Sequence, residues 1–427
     1  MKTIKTKEIF ILNLLDRIVT PALGCTEIGC IALATSITSE HLKLPLAKAI
    51  VYVSGFIYRN VINVGVPFIG RVGAKGIAAA GFIIKQSNRG LLILEGVSNT
   101  QVHQIKQLIA KDKIKVIIQR NCNPVYVRVV AKDIGGNTYD VLIERGHDNV
   151  KFVRINNINL PIESYKKCKA KKTSQPEFDV DDITLADIYH TIKKVKLKKL
   201  IFLQKGIEMN ENIANFPNKN LYFHPINKKS SWKEAILAHT FNAVASRMDG
   251  CPLPVMSSND SGDHGLTVNL PQYVYWQKMH TSKIVMFQAI ALANLITWKI
   301  KKNIGSLSAY CGSVVAATTG SICGIGLQRN YNIQQINELI NYCLNFFTGI
   351  LCDGAKISCA WKVEAALSVG FKALELVESK RKINSDGINN IDAFKTIKLI
   401  GNLSKTIMTS INDKIVDIID YNLDSRS

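Results

Sequence analysis

Cysteine is the residue type in this chain with the most chemistry to offer. Ten are present, and four of them occupy Gly- or Ser-containing turns rather than helix interiors. Cys25 lies in Leu23-Gly24-Cys25-Thr26-Glu27 and Cys311 in Ala309-Tyr310-Cys311-Gly312-Ser313. Cys352 and Cys359 lie in Leu351-Cys352-Asp353-Gly354-Ala355-Lys356-Ile357-Ser358-Cys359-Ala360. A metal cluster needs such turns, because thiolates must converge while backbone N–H groups approach the sulfurs unobstructed. Cys352 and Cys359, seven apart across an Asp-Gly turn, can reach one centre. On spacing alone zinc suits them as well as iron, and two cysteines near a loop more often have no special role. Cys30, Cys323 and Cys343 sit in apolar helical runs and read as small core residues. Cys122, Cys168 and Cys251 lie in or near loops without evident partners.

A second cluster of chemistry is Met256-Ser257-Ser258-Asn259-Asp260-Ser261-Gly262-Asp263-His264-Gly265. Its small residues, Ser261 and Gly262 among them, could present backbone N–H groups as a nest for a carboxylate, with His264 as donor or proton carrier. An ordinary surface turn with a solvated histidine accounts for it equally well. Phosphate motifs are lacking: there is no Gly-x4-Gly-Lys-Ser/Thr, and the 320–326 glycines do not join a strand to a helix. With no His-Glu-x-x-His and no Gly-x-Ser-x-Gly, nucleotide and zinc-hydrolase readings fall away.

The elements that must position these residues follow from hydrophobic periodicity. A helical stripe over 4–19 stops at Pro21. The turn 20–27 opens a second helix to about residue 40, with Thr26 as its candidate cap. A glycine-rich loop at 60–76 precedes an apolar helix over 77–84. Short β-branched runs at 91–94, 114–118, 125–130, 139–143 and 150–155 predict strands, with a helix over 100–110 after the first. The polar stretch 164–182, holding Pro176, reads as a linker. Beyond it the pattern is helical over 185–205, 232–247, 283–301, 313–326, 333–347, 361–378 and 391–408. The fold class is therefore α+β. A mainly helical catalytic body over 1–88 and 180–427 carries an inserted small α/β module, with its linker, over 89–179.

Composition bounds the rest. The 427 residues are 47% hydrophobic, ample for a core, and carry 54 Lys+Arg against 33 Asp+Glu, a net charge of +21. Lysine is spread along the chain without interleaved aromatics, which fits a compositional bias better than a nucleic-acid-binding stripe. The dense runs 166–172 and 193–199 read as solvated faces. No Cys-x-x-Cys pair occurs, and reduced cytosolic thiols are the default. The N-terminal apolar run is interrupted by Glu8, Asn13 and Asp16, against a signal peptide. The longest apolar stretch, 284–298, is too short for a bilayer of about 30 Å and reads as a buried core helix. The expectation is a soluble, cytoplasmic protein with no nucleic-acid or membrane partner and, from its size class, a homodimer.

Taken together, Pro21-Ala22-Leu23-Gly24-Cys25-Thr26-Glu27, Tyr310-Cys311-Gly312 and Cys352-Asp353-Gly354-Ala355-Lys356-x-x-Cys359-Ala360-x-Lys362-Val363 resemble the L-cysteine desulfidase family, which is related to the α chain of iron–sulfur L-serine dehydratases. The loops Val64-Gly65-Val66-Pro67 and Ser261-Gly262-x-x-Gly265 fall in the expected order, so the similarity runs over nearly the whole chain. The resemblance implies that Cys311, Cys352 and Cys359 hold a 4Fe-4S cluster, with one iron left open. It makes Cys25 the proton acceptor and Ser261, Gly262, His264 and Lys356 substrate-binding residues. A thiol at the start of a helix, near a substrate ammonium, should have its pKa lowered. The implied reaction is β-elimination from L-cysteine, giving pyruvate, ammonia and sulfide without pyridoxal phosphate. L-Serine with water as leaving product is the alternative. Ile28, Val61 and Ile62 depart from the family pattern, and Asp260 and Asp263 add charge that opposes carboxylate binding at their loop. A basic nucleic-acid-binding protein and an inactive family member remain as readings of other classes.

Overall fold

The computed structural model describes residues 2–165, 178–217, 222–380 and 387–425. Cys168, the 166–172 lysine run and most of the expected linker, Pro176 included, lie outside the described residues. The chain opens with helix α1 (Lys2–Ile18), which buries Phe10, Ile11, Leu14 and Leu15 on one face. Strand β1 (Val19–Ala22) follows, and after the Gly24 turn comes α2 (Thr26–His41). Every residue of α2 from Thr26 to Ser39 is buried, as befits a helix that is apolar all round. On one side lies α4 (Gly73–Ile84), so close that a Cβ on Gly81 would stand 2.0 Å from Thr35 Oγ1. Thr26 does not cap α2. Cys25 holds the cap position and Thr26 is the first helical residue, its hydroxyl donating instead to Glu27.

The other side of α2 meets a six-stranded sheet. Strand β2 (Leu46–Ser54) leads into the short helix α3 (Gly55–Val61). After α4, helix α5 (Asn99–Ala110) leads to β3 (Ile114–Gln119), β4 (Tyr126–Asp133), β5 (Thr138–Glu144), β6 (Val150–Ile155) and β7 (Ile158–Asn159). The order is β3-β2-β4-β5-β6-β7, with β2 and β3 parallel and the other pairs antiparallel. Val51, Val129, Val141 and Val153 fall in one register row across four strands, each no more than 1% exposed. That row is the core face, made by the period-2 alternation of the strands. The sheet is not contained in 89–179, since β2 comes from earlier in the chain. The 91–94 run, expected as a strand, follows from a 3₁₀ turn over Ser87–Leu92; it buries Ile93 and Leu94 without extending.

The remainder is helical, so the protein is an α+β fold with a mainly helical body. Helices α6 (Leu185–Lys194) and α7 (Leu203–Ala214) replace the single expected helix over 185–205, because Val195 and Lys196 take extended backbone. After α8 (Trp232–Met248), strand β8 (Val255–Ser258) pairs antiparallel with β1, Thr20 opposite Ser257. Helix α9 (Gly262–Met279) was not foreseen. It starts inside the presumed loop and carries Pro271. Then come α10 (Lys283–Ile304), a π turn over Ser313–Thr318 and α11 (Thr319–Gln328). The chain closes with α12 (Ile333–Phe347), α13 (Cys359–Glu378), α14 (Ala393–Thr406) and α15 (Met408–Asp424). Helix α10 is longer than its apolar stretch suggested, 22 residues, and by length and composition it could cross a membrane; 83% of its most apolar window is buried in the fold. Two large hydrophobic cores form among the described residues, with a third cluster of only Val268, Ala293 and Ala317. One gathers α1, α6 and α10 to α14; the other gathers α2, α4 and the sheet; α8 and α9 contribute to both.

Candidate active site

The cavity that concerns function lies along the seam between the two cores and has a volume of about 100 Å3. Cys25, Cys311, Cys352 and Cys359 all line it. The first and last of these pack with the sheet-side core and the other two with the helical core. None of the nine described cysteines is in a disulfide. Cys30, Cys323 and Cys343 are buried core thiols, as read from their helices.

Backbone geometry brings the thiols together. An antiparallel bridge pairs Tyr310 with Leu351. Beside it Cys311 N donates to Ile350 O at 2.9 Å and Cys352 N to Ala309 O at 2.7 Å. The turn after Cys352 passes through Gly354 at a φ of +103°, where a Cβ would lie 2.2 Å from Arg59 O, and delivers Cys359 to the start of α13. Glycine is required there both for the left-handed backbone and for the close approach. Burial pushes the Cys311 thiol up to about 12, with the Cys352 sulfur adding to the effect, and raises Cys359 in the same way. Lys362, held by Asp353 at 2.6 Å, opposes the rise at Cys311. Among the described residues no three His, Cys, Asp or Glu gather tightly enough for a single metal ion. A cluster carries its thiolates on separate irons, so they converge on it less closely than on a single ion. Three thiols that line one cavity, Cys311 buried and Cys352 and Cys359 partly buried, would lose protons on metal binding, and with Lys301 and Lys362 nearby to offset the charge they fit an iron–sulfur cluster.

Opposite them, Cys25 donates through Sγ to Glu27 Oε2 at 2.6 Å. Glu27 also accepts from Asn60 Nδ2 at 2.8 Å and Thr26 Oγ1 at 3.1 Å, and His147 Nε2 stands 3.9 Å away. Burial drives the Cys25 thiol well above its usual value and the charge of Glu27 adds to this, while Arg247 pulls the other way. The expected lowering at the helix start is overturned, because desolvation outweighs a partial charge. Burial likewise pushes Glu27 up. The charge of His147 and the bonds from Cys25 and Asn60 outweigh it and leave the carboxyl below the usual range.

The start of α9 supplies Ser261 and His264 to the cavity. Asn210 clamps this segment, accepting from Met256 N and donating to the carbonyls of Met256 and Gly265. Two N–H groups of the expected nest are spent within the turn, Ser261 N on Ser258 O and Gly265 N on Ser261 O. Gly262 serves packing, since a Cβ there would sit 2.2 Å from Arg247 Nε. Arg247 Nη1 pairs with Asp263 at 2.7 Å and Nη2 bonds Gly24 O at 2.7 Å, so the Asp263 charge is met within the protein. Burial, with Lys301 and Arg247 close by, keeps His264 neutral. Lys356 is not brought in: it pairs with Asp353 and lines a separate surface hollow beside α15. Lys301 lines the cavity instead, its ammonium on Ser306 O at 2.7 Å and its pKa lowered by burial to about 8. Glu27, Arg59, Asn60, His147, Arg247 and Lys301 had drawn no role from the sequence. The available signal was charge within otherwise apolar helices, at Arg247 and Lys301.

A mainly helical α+β protein closing a thiol-lined polar cavity is thus the class that fold and site define. Residues 88–417, which include Cys311, Cys352 and Cys359, match the family model described as serine dehydratase alpha chain. The chain belongs to that family and is a lyase-type enzyme related to serine dehydratase. Among its relatives are proteins named UPF0597 protein from Clostridium perfringens and Phocaeicola vulgatus. Each is 30% identical, over 96% of this chain and 97% of the relative. A third, from Clostridioides difficile, is 30% identical over 95% and 97%. The family relationship read from the cysteine strings is borne out.

Proposed function

We propose that the protein is an iron–sulfur-dependent β-eliminating lyase that converts L-cysteine to pyruvate, ammonia and sulfide in the cytoplasm. The observation that carries this reading is that the buried Cys25–Glu27 pair opens into the same cavity as Cys311, Cys352 and Cys359. Those three cysteines would hold a 4Fe-4S cluster, which when bound supplies a Lewis-acidic iron that eases departure of the β-substituent.

The protein's own residues carry the rest. Cys25 passes its proton to Glu27 Oε2 and, as thiolate, takes the Cα proton of the substrate. Thiolate formation is unfavourable at this buried position, and the Arg247 guanidinium and a substrate ammonium both favour it. Asn60 and Thr26 hold the Glu27 carboxylate aimed at the thiol. The Cα–H electrons form the double bond of aminoacrylate as sulfide leaves from Cβ. Lys301, with a pKa near 8, holds a proton for the leaving atom at neutral pH. Aminoacrylate then takes up water to give pyruvate and ammonia. L-Serine is the second reading, favoured by the family match to serine dehydratase; it needs the same base and releases water.

Anaerobic reconstitution with iron and sulfide, followed by pyruvate assays on L-cysteine and L-serine side by side, tests both. About four irons and sulfides per chain with pyruvate from either substrate are expected. An iron-free preparation with full activity would overturn the proposal.

A further inference from the structure

We infer that Arg59 is the receptor for the α-carboxylate of a small amino acid bound in the Cys25 cavity. Arg59 stands in the last turn of α3, is 1% exposed and lines the cavity. Its Nη2 donates to Ser308 O at 2.6 Å, and the guanidinium rests 5.0 Å from the Phe56 ring centroid. Nε and Nη1 have no hydrogen-bond partner among the described residues. The backbone below is fixed as well, because the Cys352–Cys359 turn packs on Arg59 O at Gly354.

A guanidinium cannot shed its proton. Burying it without a counter-charge is strongly unfavourable, so the site calls for an anion. Arg247 is paired with Asp263, and the N–H groups of Ser261 and Gly265 bond within their own turn, whereas Arg59 lines the cavity with Nε and Nη1 unused among the described residues. Asp260 and Glu27 also line the cavity and offer carboxylates to an α-ammonium. The cavity therefore reads a zwitterion, with the carboxylate on Arg59, whose planar donors suit that group. The assignment rests on the β-elimination reading for its substrate class.

The test is calorimetric titration of the anaerobically reconstituted protein with L-alanine, which has no leaving group at Cβ, and with L-alaninamide, which lacks the carboxylate. The wild type should prefer L-alanine by at least roughly tenfold. In Arg59→Gln that preference should collapse, and in Arg59→Lys binding should weaken while the preference persists. Equal binding of the two ligands by the wild type would overturn the assignment, even if Arg59→Gln fails to fold. So would a preference that survives in folded Arg59→Gln. If discrimination is lost in Arg59→Gln but neither L-cysteine nor L-serine yields pyruvate, the receptor stands and the β-elimination reading falls. Pyruvate formation with an unchanged KM in Arg59→Gln would sink the receptor alone.

Discussion

Cys25 Sγ and Glu27 Oε2 lie 2.6 Å apart, both in buried side chains, with the thiol as donor and the carboxylate as acceptor. Cys25 is the cap of the helix and Glu27 its second residue, so the contact is local. A carboxylate against a buried thiol opposes thiolate formation and at the same time offers a place for the proton.

The first prediction concerns pH. Because burial and then Glu27 raise the thiol, kcat/KM should keep climbing with pH beyond about 8.5, the ordinary thiol value. Glu27→Gln removes the charge and keeps the shape. Its rising limb should move to lower pH, while the plateau, where Cys25 is already ionised and needs no proton acceptor, keeps its height. A pH–rate profile for each protein decides the matter; coincident limbs would mean that Glu27 does not govern Cys25.

The second separates cluster from base. Cys352→Ala should lose most bound iron and labile sulfide, whereas Cys25→Ala should keep both and yield no pyruvate. Cys323→Ala, at a fully buried thiol remote from the cavity lining, should keep iron and activity alike. Iron, sulfide and pyruvate assays on the three proteins give the answer. Bleaching of Cys25→Ala would show that the two roles are wrongly divided.

What the sequence made legible was whatever is encoded locally. The cysteine turns, the 333–347 helix and the strands at 114–118 and 139–143 are runs whose residues agree with their own periodicity. Residues whose importance comes from distant partners were not legible. Arg59 gains meaning only when the Gly354 turn closes over it, and Lys356, an attractive cation beside the cysteines, is drawn to Asp353 and lines a separate hollow. Helix α9 was hidden by its Pro271 and polar start. The direction of the Cys25 pKa was misread because a helix start is visible in sequence and complete desolvation is not.

A third prediction tests the clamp behind Cys25. Arg247 and Asp263 form a buried pair, and Arg247 also ties down Gly24 O. Asp263→Asn strands a buried guanidinium and should cost about 3–5 kcal/mol. Replacing both residues, Arg247→Met with Asp263→Leu, should cost less than the single change, since no unpaired charge remains. Urea denaturation of the two variants and the wild type measures this; an Asp263→Asn protein of wild-type stability would refute it.

The last prediction asks whether the sheet takes part in the chemistry. His147 lies in the connection between β5 and β6, buried at 6% exposure, with Nε2 3.9 Å from Glu27 Oε1 and no hydrogen-bond partner among the described residues. Its charge is the first influence after burial on Glu27, and it acts downward. Removing it in His147→Gln should let the carboxyl pKa rise. Glu27 accepts the Cys25 proton only when ionised, so the acid limb of kcat/KM should shift to higher pH while bound iron stays constant. A purely structural role for His147 would lower the melting temperature and leave the limb in place. A shifted limb with constant iron would instead show that the α/β elements reach across the core to set the ionisation of the proton acceptor.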